Sequence, residues 1–479
     1  MGRFLEIFKP VTRFMPEITP PERRVGFNEK LAWTALVLIL YLVMSETPLF
    51  GIPLYSRGVG YDPLLYMRVI LAAKRGTLME LGIGPIVTSG LILQLLQGAG
   101  VINVDFSKSE DRAVFTGINK FFSIVMVIFQ ALAYILGGAY GAIKPDIAFL
   151  ICLQLIAAGV ILMMMDELVQ KGWGFGSGIS LFIAAGVAQQ IWWLSFGPVG
   201  PMSDRKYYGA LIAFSQSLMT RQYEQGWWGV FHRPDNLPDM IGFFSMLAIF
   251  FISIYLQGVR IEIPISFARF RGYRSKYPVQ LLYVSNIPVI LASALFADIY
   301  FVAQILWGRF NNDNSSVWIN LLGTFSQSEG GSPSPTGGLA YYVTPPRSLD
   351  FVGKDPTRSV IYVLLLVVSC VIFSVTWLEI GGIDAKTVAG QLIGSGVQIP
   401  GFRRSEQPIR RILDRYIPAV TIIGGVLIGF LAAFGDMMNS FGTGTGILLT
   451  SGIFFQYYQQ LVQERVVEMY PAVRSFLGK

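Results

Sequence analysis

The stretch IAFLICLQLIAAGVILMMM, residues 147–165, has one polar side chain, Gln154, and no charge. A helix that crosses the hydrocarbon core of a bilayer needs about 20 mostly apolar residues. Because this stretch has the length and composition that such a helix requires, it predicts a transmembrane helix. Similar stretches recur along the rest of the chain.

The composition of the whole chain agrees with a membrane protein. Of the 479 residues, 53% are hydrophobic and only 14% are charged, and the mean hydropathy is +0.53. Soluble domains carry about 25% charged residues, so this chain lacks the polar side chains needed to cover a soluble surface. The apolar content also excludes a disordered or fibrous protein.

Ten segments meet or approach the length and composition of a span. Three are imperfect, because Glu46 and Pro48 lie near the end of the first, Gly84-Pro85 interrupts the second and a Gly-Thr-rich run begins the tenth. The fold class expected is therefore an all-α polytopic membrane protein. The predicted spans are 31–50, 78–98, 120–140, 147–165, 175–194, 241–257, 282–306, 359–378, 417–435 and 439–462.

Lysine and arginine residues set the predicted orientation. With the N-terminus and every second loop taken as one side, 24 of the 37 Lys and Arg residues lie on that side and 13 on the other. Positive charge is retained in the cytosol, so both termini are predicted to be cytosolic. Residues 1–30 show no signal peptide and predict a short amphipathic helix on the membrane surface, and 463–479 form a cytosolic tail.

The ten spans divide into two groups of five, 31–197 and 241–462, joined by a predicted lumenal loop at 198–240. An odd number of spans in each half gives the halves opposite topology, as in inverted repeats, with a cavity or path between them. No residue-level repeat is evident. The second half contains two predicted cytosolic loops, 258–281 and 379–416, and an irregular, exposed lumenal loop at 308–358.

Residues capable of metal or catalytic chemistry are scarce. Cys152 and Cys370 lie in apolar runs and His232 is the single histidine. We therefore expect no disulfide, no metal site, no cofactor and no enzymatic activity. The polar residues inside the spans are few, and each is best explained by a hydrogen bond between helices. They are Thr88, Gln94, Gln130, Gln154, Asp298 and Asp436.

The two cytosolic loops of the second half are rich in arginine. Positive-inside bias explains part of this pattern, and a docking surface for a polyanion such as RNA is the alternative. The segment Arg269–Arg274, RFRGYR, combines arginine with aromatic rings. On the opposite side, Asn314-Ser315-Ser316 is a glycosylation sequon.

These features leave three classes of function open. A passive channel for polypeptides needs no fixed polar site. A secondary transporter of a small or lipid-like solute needs a polar site near the midplane, and the low intramembrane charge argues against it. An intramembrane enzyme needs a catalytic set, and the sequence offers none.

Several longer motifs point to one family. The chain resembles the alpha subunits of eukaryotic Sec translocons, the protein-conducting channels of the SecY family, from Phe4 to about Glu464. The motifs that carry this resemblance, in chain order, are 21–23 (PER), 75–83 (RGTLMELGI), 85–90 (PIVTSG), 166–168 (DEL), 176–183 (GSGISLFI), 285–288 (SNIP), 415–418 (RYIP) and 444–449 (GTGILL).

The resemblance implies an hourglass pore between two pseudo-symmetric inverted halves, a plug helix at about 61–75 and a lateral gate toward lipid. The implied pore ring is Ile83, Val87, Ile179, Ile183, Ile290 and Leu449. The implied plug residues are Leu64, Leu65, Met67, Val69, Ile70 and Leu71, and the gate residues are Thr88, Gln130 and Asp298. The chain departs from the family at Asp298, where Asn is usual, and at Gly84, where Ser is usual.

The resemblance also implies partners and a location. The arginine-rich loops would bind the ribosome, including its RNA, through Arg269, Arg271, Arg274, Lys276, Arg403 and Arg404. Further expected partners are small single-span beta and gamma subunits, nascent polypeptides and their signal sequences, post-translational translocation partners, a lumenal chaperone and membrane lipid. The expected location is the endoplasmic reticulum membrane, where the channel would translocate secretory polypeptides and insert membrane proteins.

Overall fold

The structure is a computed structural model. It describes the chain except for residues 1–14, 24, 52–64, 99–101, 103–108, 137–139, 141–143, 203, 221–227, 234–236, 268–273, 285–286, 312, 328–332, 347–348, 395–396, 399–405 and 470–479.

In the described residues the fold is mostly helical, with five short strands. In chain order, the helices are α1 (Phe27–Glu46), α2 (Leu65–Ile70), α3 (Gly84–Gly98), α4 (Ser109–Leu136), α5 (Pro145–Leu168), α6 (Gly178–Phe196), α7 (Ala210–Thr220), α8 (Trp228–Phe231), α9 (Met240–Gly258), α10 (Ile287–Phe310), α11 (Val317–Leu322), α12 (Gly338–Val343), α13 (Leu349–Lys354), α14 (Pro356–Ile380), α15 (Ala385–Gly394), α16 (Glu406–Met437) and α17 (Gly444–Met469). The strands are β1 (Arg260–Phe267), β2 (Arg274–Gln280), β3 (Thr324–Gln327), β4 (Pro333–Gly337) and β5 (Val397–Gln398).

Each predicted span coincides with a helix: α1, α3, α4, α5, α6, α9, α10, α14, α16 and α17. In the described part of the chain, eight helices are long and apolar enough to cross a membrane, and α3 and α17 are the two predicted spans outside that group. Helix α3 has only 15 residues. Helix α17 has 26 residues, but glutamine and charged residues in its second half lower its hydropathy.

Among the predicted limits that differ from the helices, two differ for local backbone reasons. The second span was placed at 78–98, whereas α3 begins at Gly84, with Pro85 in its first turn. Proline is accepted there because it has no N–H to donate. The first span was placed at 31–50, whereas α1 ends at Glu46 and Thr47 has an extended backbone. Thr47 directly precedes Pro48, and a residue in that position disfavours helical geometry.

Ion pairs and hydrogen bonds define the two ends of the bundle. Lys30 Nζ donates to Glu464 Oε1 at 2.9 Å, so the start of α1 and the end of α17 share one end. Ser253 and Ser451 form a hydrogen bond at 2.6 Å, which joins the second half of α9 to α17. The β1–β2 hairpin follows α9 at this same end, which we call the hairpin side. The opposite end, where α2 lies, we call the plug side.

The two halves contain the same fastening at opposite ends of the bundle. Near the end of α5, Asp166 Oδ1 accepts the backbone N–H of Ile179 in α6 at 2.9 Å. Near the end of α16, Asp436 Oδ1 accepts the N–H of Gly444 at the start of α17 at 2.8 Å. A carboxylate satisfies the free N–H groups at a helix start. The first junction is on the hairpin side and the second on the plug side, as an inverted repeat requires, and sequence analysis missed this correspondence.

The predicted loop at 258–281 is a β-hairpin rather than an irregular loop. Strands β1 and β2 are antiparallel, with Ile261 opposite Val279 and Ile263 opposite Tyr277. Strand β5, from the other basic loop, pairs with the end of β1, so both loops join one sheet. Ile263 and Val279 pack with residues of α15 and α16 in a second apolar core, which supports the sheet.

The loop at 308–358 is also more ordered than expected. Strands β3 and β4 pair in it, and Phe325, Ala340 and Val343 are buried in the main apolar core. The expectation of an irregular, exposed segment was therefore wrong. The segment is rich in turn-forming residues, and its three buried apolar residues are separated in the sequence, so they form no recognisable apolar run. They become buried because β3 packs on α10 and α12 packs on α10 and α14.

The loop at 198–240 is tied together by a buried arginine. Arg233 Nε donates to Asp204 Oδ2 at 2.8 Å, and Arg233 Nη1 donates to the carbonyls of Tyr208 and Pro238, each at 2.9 Å. Burial by itself would raise the pKa of Asp204, but the hydrogen bonds and charge of Arg233 outweigh it and hold that pKa below its usual value. The arginine thus gives an otherwise polar loop a fixed shape.

Candidate functional site

The short helix α2 and the turn after it are fastened to the segment that leads into α3. The N–H of Ile83 donates to the carbonyl of Leu71 at 2.8 Å, and the N–H of Lys74 donates to the carbonyl of Met79 at 2.9 Å. Tyr41 of α1 donates its hydroxyl to the carbonyl of Ala72 at 3.3 Å. These contacts hold α2 between α6, α10 and α17.

Gly82 makes this close approach possible. Its φ is +54°, and an ideal β-carbon on it would lie 2.1 Å from the carbonyl oxygen of Leu71. Only glycine adopts such a backbone without steric cost at this separation. The RGTLMELGI motif therefore contains a residue that lets the α2 turn lie directly on the chain before α3.

A buried ion pair also joins α2 to the same segment. Arg68 Nη1 lies 2.6 Å from Glu80 Oε1, and the two side chains are 10% and 1% exposed. Glu80 Oε2 accepts the N–H of Gly76. Sequence analysis missed both partners, although Glu80 is the only charged residue within the predicted span 78–98, and a lone charge in a span marks a functional position.

All six predicted ring residues lie in one apolar cluster with the plug residues that the structure describes in full. Ile83, Ile183 and Leu449 are fully buried in this cluster, which is the main apolar core, and Val87, Ile179 and Ile290 are partly exposed and pack against that core. The plug residues in this cluster are Val69, Ile70 and Leu71. The structure gives only the backbone of Leu65 and Met67, within α2, and Leu64 lies outside the described residues.

Two of the three predicted gate residues meet between α3 and α10. Thr88 Oγ1 donates to Asp298, with distances of 3.3 Å to Oδ1 and 3.2 Å to Oδ2. Gln130 of α4 is buried beside the first turn of α3, where its Oε1 lies 3.6 Å from the position of a β-carbon on Gly84. The structure therefore places Gln130 next to Gly84 rather than in the Thr88–Asp298 contact.

The hydrogen bonds between side chains that join α3 to α4 are shorter than those that join α3 to α10. Ser89 Oγ lies 2.9 Å from Asn119 Oδ1 and 2.6 Å from Ser123 Oγ, both on α4. These distances are shorter than the 3.2 Å between Thr88 and Asp298, and short, aligned hydrogen bonds are the stronger ones. The α3–α10 contact is therefore the longer of the two polar contacts.

The predicted ribosome-binding residues are only partly described. Lys276 on β2 is exposed and pairs with Glu262 on β1. The hydrogen bond from Lys276 holds the pKa of Glu262 below its usual value. Arg274 begins β2, and the structure gives its backbone alone. Arg269, Arg271, Arg403 and Arg404 lie outside the described residues.

Comparison with known proteins identifies the family. The SecY family matches residues 77–458, and the plug domain of Sec61p matches residues 39–76. The chain therefore belongs to the SecY family of protein-conducting channels and contains its plug. This family consists of channels rather than enzymes.

Solved structures agree over nearly the whole length of both chains. The structure of a protein-conducting channel is 36% identical, with 97% of this chain and 99% of that chain covered and a TM-score of 0.80. A SecY channel whose plug domain stabilises the closed state and maintains a membrane seal is also 36% identical, with the same coverage and a TM-score of 0.78. Sec61 in the canine ribosome–channel complex from the endoplasmic reticulum is 34% identical, again with 97% and 99% covered and a TM-score of 0.78.

Proposed function

We propose that this chain is the pore-forming subunit of the channel that translocates secretory polypeptides across the endoplasmic reticulum membrane and inserts membrane proteins into it. The observation that carries the proposal is that the six ring residues lie in the main apolar core together with Val69, Ile70 and Leu71, and that the N–H of Ile83 donates to the carbonyl of Leu71 at 2.8 Å. A plug that packs directly on an apolar constriction describes a closed pore.

An apolar ring suits a channel for polypeptides. Its branched side chains offer no fixed polar ligand, so they discriminate little between the sequences that pass. An apolar constriction also resists water and ions by dewetting. In this mechanism α2 leaves its seat when a polypeptide enters, and the ring residues close around the moving chain.

Lateral exit into lipid would occur between α3 and α10. The Thr88–Asp298 hydrogen bond crosses this boundary at 3.2 Å. Each CH₂ group transferred from water to an apolar environment contributes about 0.8 kcal/mol. A sufficiently apolar segment in the pore can therefore offset the loss of one hydrogen bond, which is worth about 1 kcal/mol, and partition sideways.

The hairpin side is the proposed ribosome-binding face and the proposed cytosolic side. Strands β1, β2 and β5 bring the two arginine-rich loops into one sheet, and the apolar core beneath it holds that sheet in place. A ribosome bound there would supply the energy for movement. The canine relative of similar fold is a ribosome–channel complex. Beta and gamma subunits, signal sequences, post-translational partners and a lumenal chaperone complete the proposed set of partners.

The proposal is tested by reconstitution. The chain and its small subunits are placed in liposomes with ribosomes that synthesise a signal-bearing polypeptide, and protection of the product from added protease is measured. We expect protection with the native chain. We expect its loss when Arg271, Arg403 and Arg404 are all changed to Glu, because phosphate contacts fail when the charge is reversed.

A matched variant tests whether the effect of charge reversal depends on which face of the protein carries it. Lys354→Glu reverses an exposed charge near the plug side and should leave protection unchanged. Ribosome co-sedimentation at increasing salt shows whether docking has been lost. A product that stays accessible to protease although ribosomes are bound to a folded complex would overturn the channel proposal.

A further inference from the structure

Helix α11 presents its apolar side chains outward. Val317 is 72% exposed, Trp318 83% and Leu321 64%. At about 100° per residue these three positions fall within an arc of about 100° on one face of the helix. Surface helices of soluble proteins turn such a face toward the core, so α11 has the opposite arrangement.

The other face of α11 carries the polar contacts that hold the helix in place. Asn320 Nδ2 donates to the carbonyl of Asn314 at 2.8 Å, and Asn320 Oδ1 accepts from Asn311 Nδ2 at 2.7 Å. These bonds connect α11 to the segment just before it. The outward direction of Trp318 is therefore fixed by the fold.

The same network fastens α11 to the last turn of α10. Trp307 Nε1, within that turn, donates to Asn314 Oδ1 at 2.8 Å, and the N–H of Ser316 donates to Asn311 Oδ1 at 2.8 Å. Phe310, the last residue of α10, is itself exposed. The apolar face of α11 therefore belongs to a segment that is bonded directly to the end of a membrane-spanning helix.

We propose that α11 is a membrane-surface anchor, with Val317, Trp318 and Leu321 inserted at the boundary between headgroups and acyl chains in the plug-side leaflet. Tryptophan is enriched at this boundary, where its ring is buried and its N–H remains hydrated. A helix with an outward apolar face lies in the interface plane. Lipid fits better than a protein partner because the segment that carries α11 is bonded to the last turn of a transmembrane helix, whose last residue, Phe310, is also exposed.

The anchor holds the end of α10 at a fixed depth in the membrane. Since α10 carries Asp298, the anchor would set the depth of the proposed gate helix relative to the plug-side leaflet. The anchoring itself does not depend on polypeptide translocation, and its test measures only contact with lipid.

The test uses the full chain with its small subunits in lipid nanodiscs. The fluorescence of the Trp318→Phe variant is subtracted from that of the native chain to isolate Trp318, and the discs contain either ordinary lipids or lipids brominated high on the acyl chain. We expect brominated lipid to remove most of the Trp318 emission, and aqueous iodide to have little effect. Because Trp318 is exposed, the Phe variant should fold normally.

Trp192→Phe provides the matched control. Trp192 is an exposed residue on α6, a membrane-spanning helix, and its emission should be quenched by brominated lipid in the same discs. Trp318 emission that is quenched by iodide but not by brominated lipid would place α11 in water and overturn the proposal. Emission protected from both quenchers would show that a protein covers α11, which would equally overturn it.

Discussion

The Arg68–Glu80 ion pair allows a quantitative test of what holds the plug helix α2 in place. The change is Glu80→Gln, which removes the charge but keeps the size of the side chain. An amide oxygen remains to accept the N–H of Gly76, so the variant isolates the loss of the ion pair. Arg68 is then left near the apolar cluster with its carboxylate partner gone.

The structure gives the expected size of the effect. The two charges lie 2.6 Å apart, with side chains 10% and 1% exposed. Removing one member of a buried pair costs about 3–5 kcal/mol. The lower figure is appropriate because Arg68 retains some contact with solvent. A loss of about 3 kcal/mol in the seated state raises the ratio of displaced to seated plug about a hundredfold.

The assay is the ion conductance of idle channels in planar bilayers without ribosomes or substrate. Native channels should be almost always closed, and Glu80→Gln channels should show frequent openings. Combining Glu80→Gln with Arg68→Met should restore much of the closure, because the double variant no longer buries the charge of the arginine. This recovery would separate loss of the ion pair from general damage to the turn.

Lys74→Gln is the matched control on the same turn. Lys74 and Glu46 lie 2.5 Å apart, about as close as the buried pair, but their side chains are 44% and 59% exposed. Exposed pairs contribute about 0–1 kcal/mol, so this variant should conduct almost as little as the native channel. If Glu80→Gln conducts no more than Lys74→Gln, the argument that the buried pair seats the plug is wrong.

Three further outcomes are expected. Asp298→Leu removes the acceptor of Thr88 and should weaken the α3–α10 contact by about 1 kcal/mol. The measured result would be lateral insertion of test segments that are less apolar, whereas Asp298→Asn should insert the same segments as the native chain. Asp436→Asn replaces a buried carboxylate that binds Tyr362 at 2.9 Å and should destabilise the fold by about 1–3 kcal/mol, measured as a lower unfolding temperature in detergent. Asn314 should carry no glycan because its side-chain amide is bonded to Trp307; glycosidase should not change the mobility of the native chain relative to Asn314→Gln, and a shift in the native chain alone would contradict this.

Hydropathy predicted the spans well because burial in lipid is a local property of a segment of about 20 residues. It failed at helix ends, where single residues decide. Gly84 begins α3 six residues later than the apolar run, and Glu46 ends α1 before the apolar run stops at Phe50. The second case follows from Pro48, whose effect on the preceding residue is local and could have been predicted.

The side-chain pairs that hold the plug and gate regions join residues separated in the sequence, so no local sequence pattern predicts them. Arg68 and Glu80 are twelve positions apart and meet because the chain reverses between them, where Ala72 and Gly76 both have positive φ. Thr88 and Asp298 are 210 positions apart. The resemblance to a known family supplied the gate pair, whereas the plug pair had no such guide and emerged from the structure.

In the proposed channel, the arrangement around α3 would couple the plug to the gate. Leu71 accepts a backbone hydrogen bond from Ile83 at 2.8 Å, directly before α3 begins. Ser89, one turn into α3, is bonded to α4. Separating α3 from α10 breaks the Thr88–Asp298 contact and moves the segment on which the plug is seated, while α6, α10 and α17 continue to hold the other side of α2. A polypeptide that opens the proposed gate would therefore strain the plug from one side only, which would favour release of the plug toward the half that carries α3.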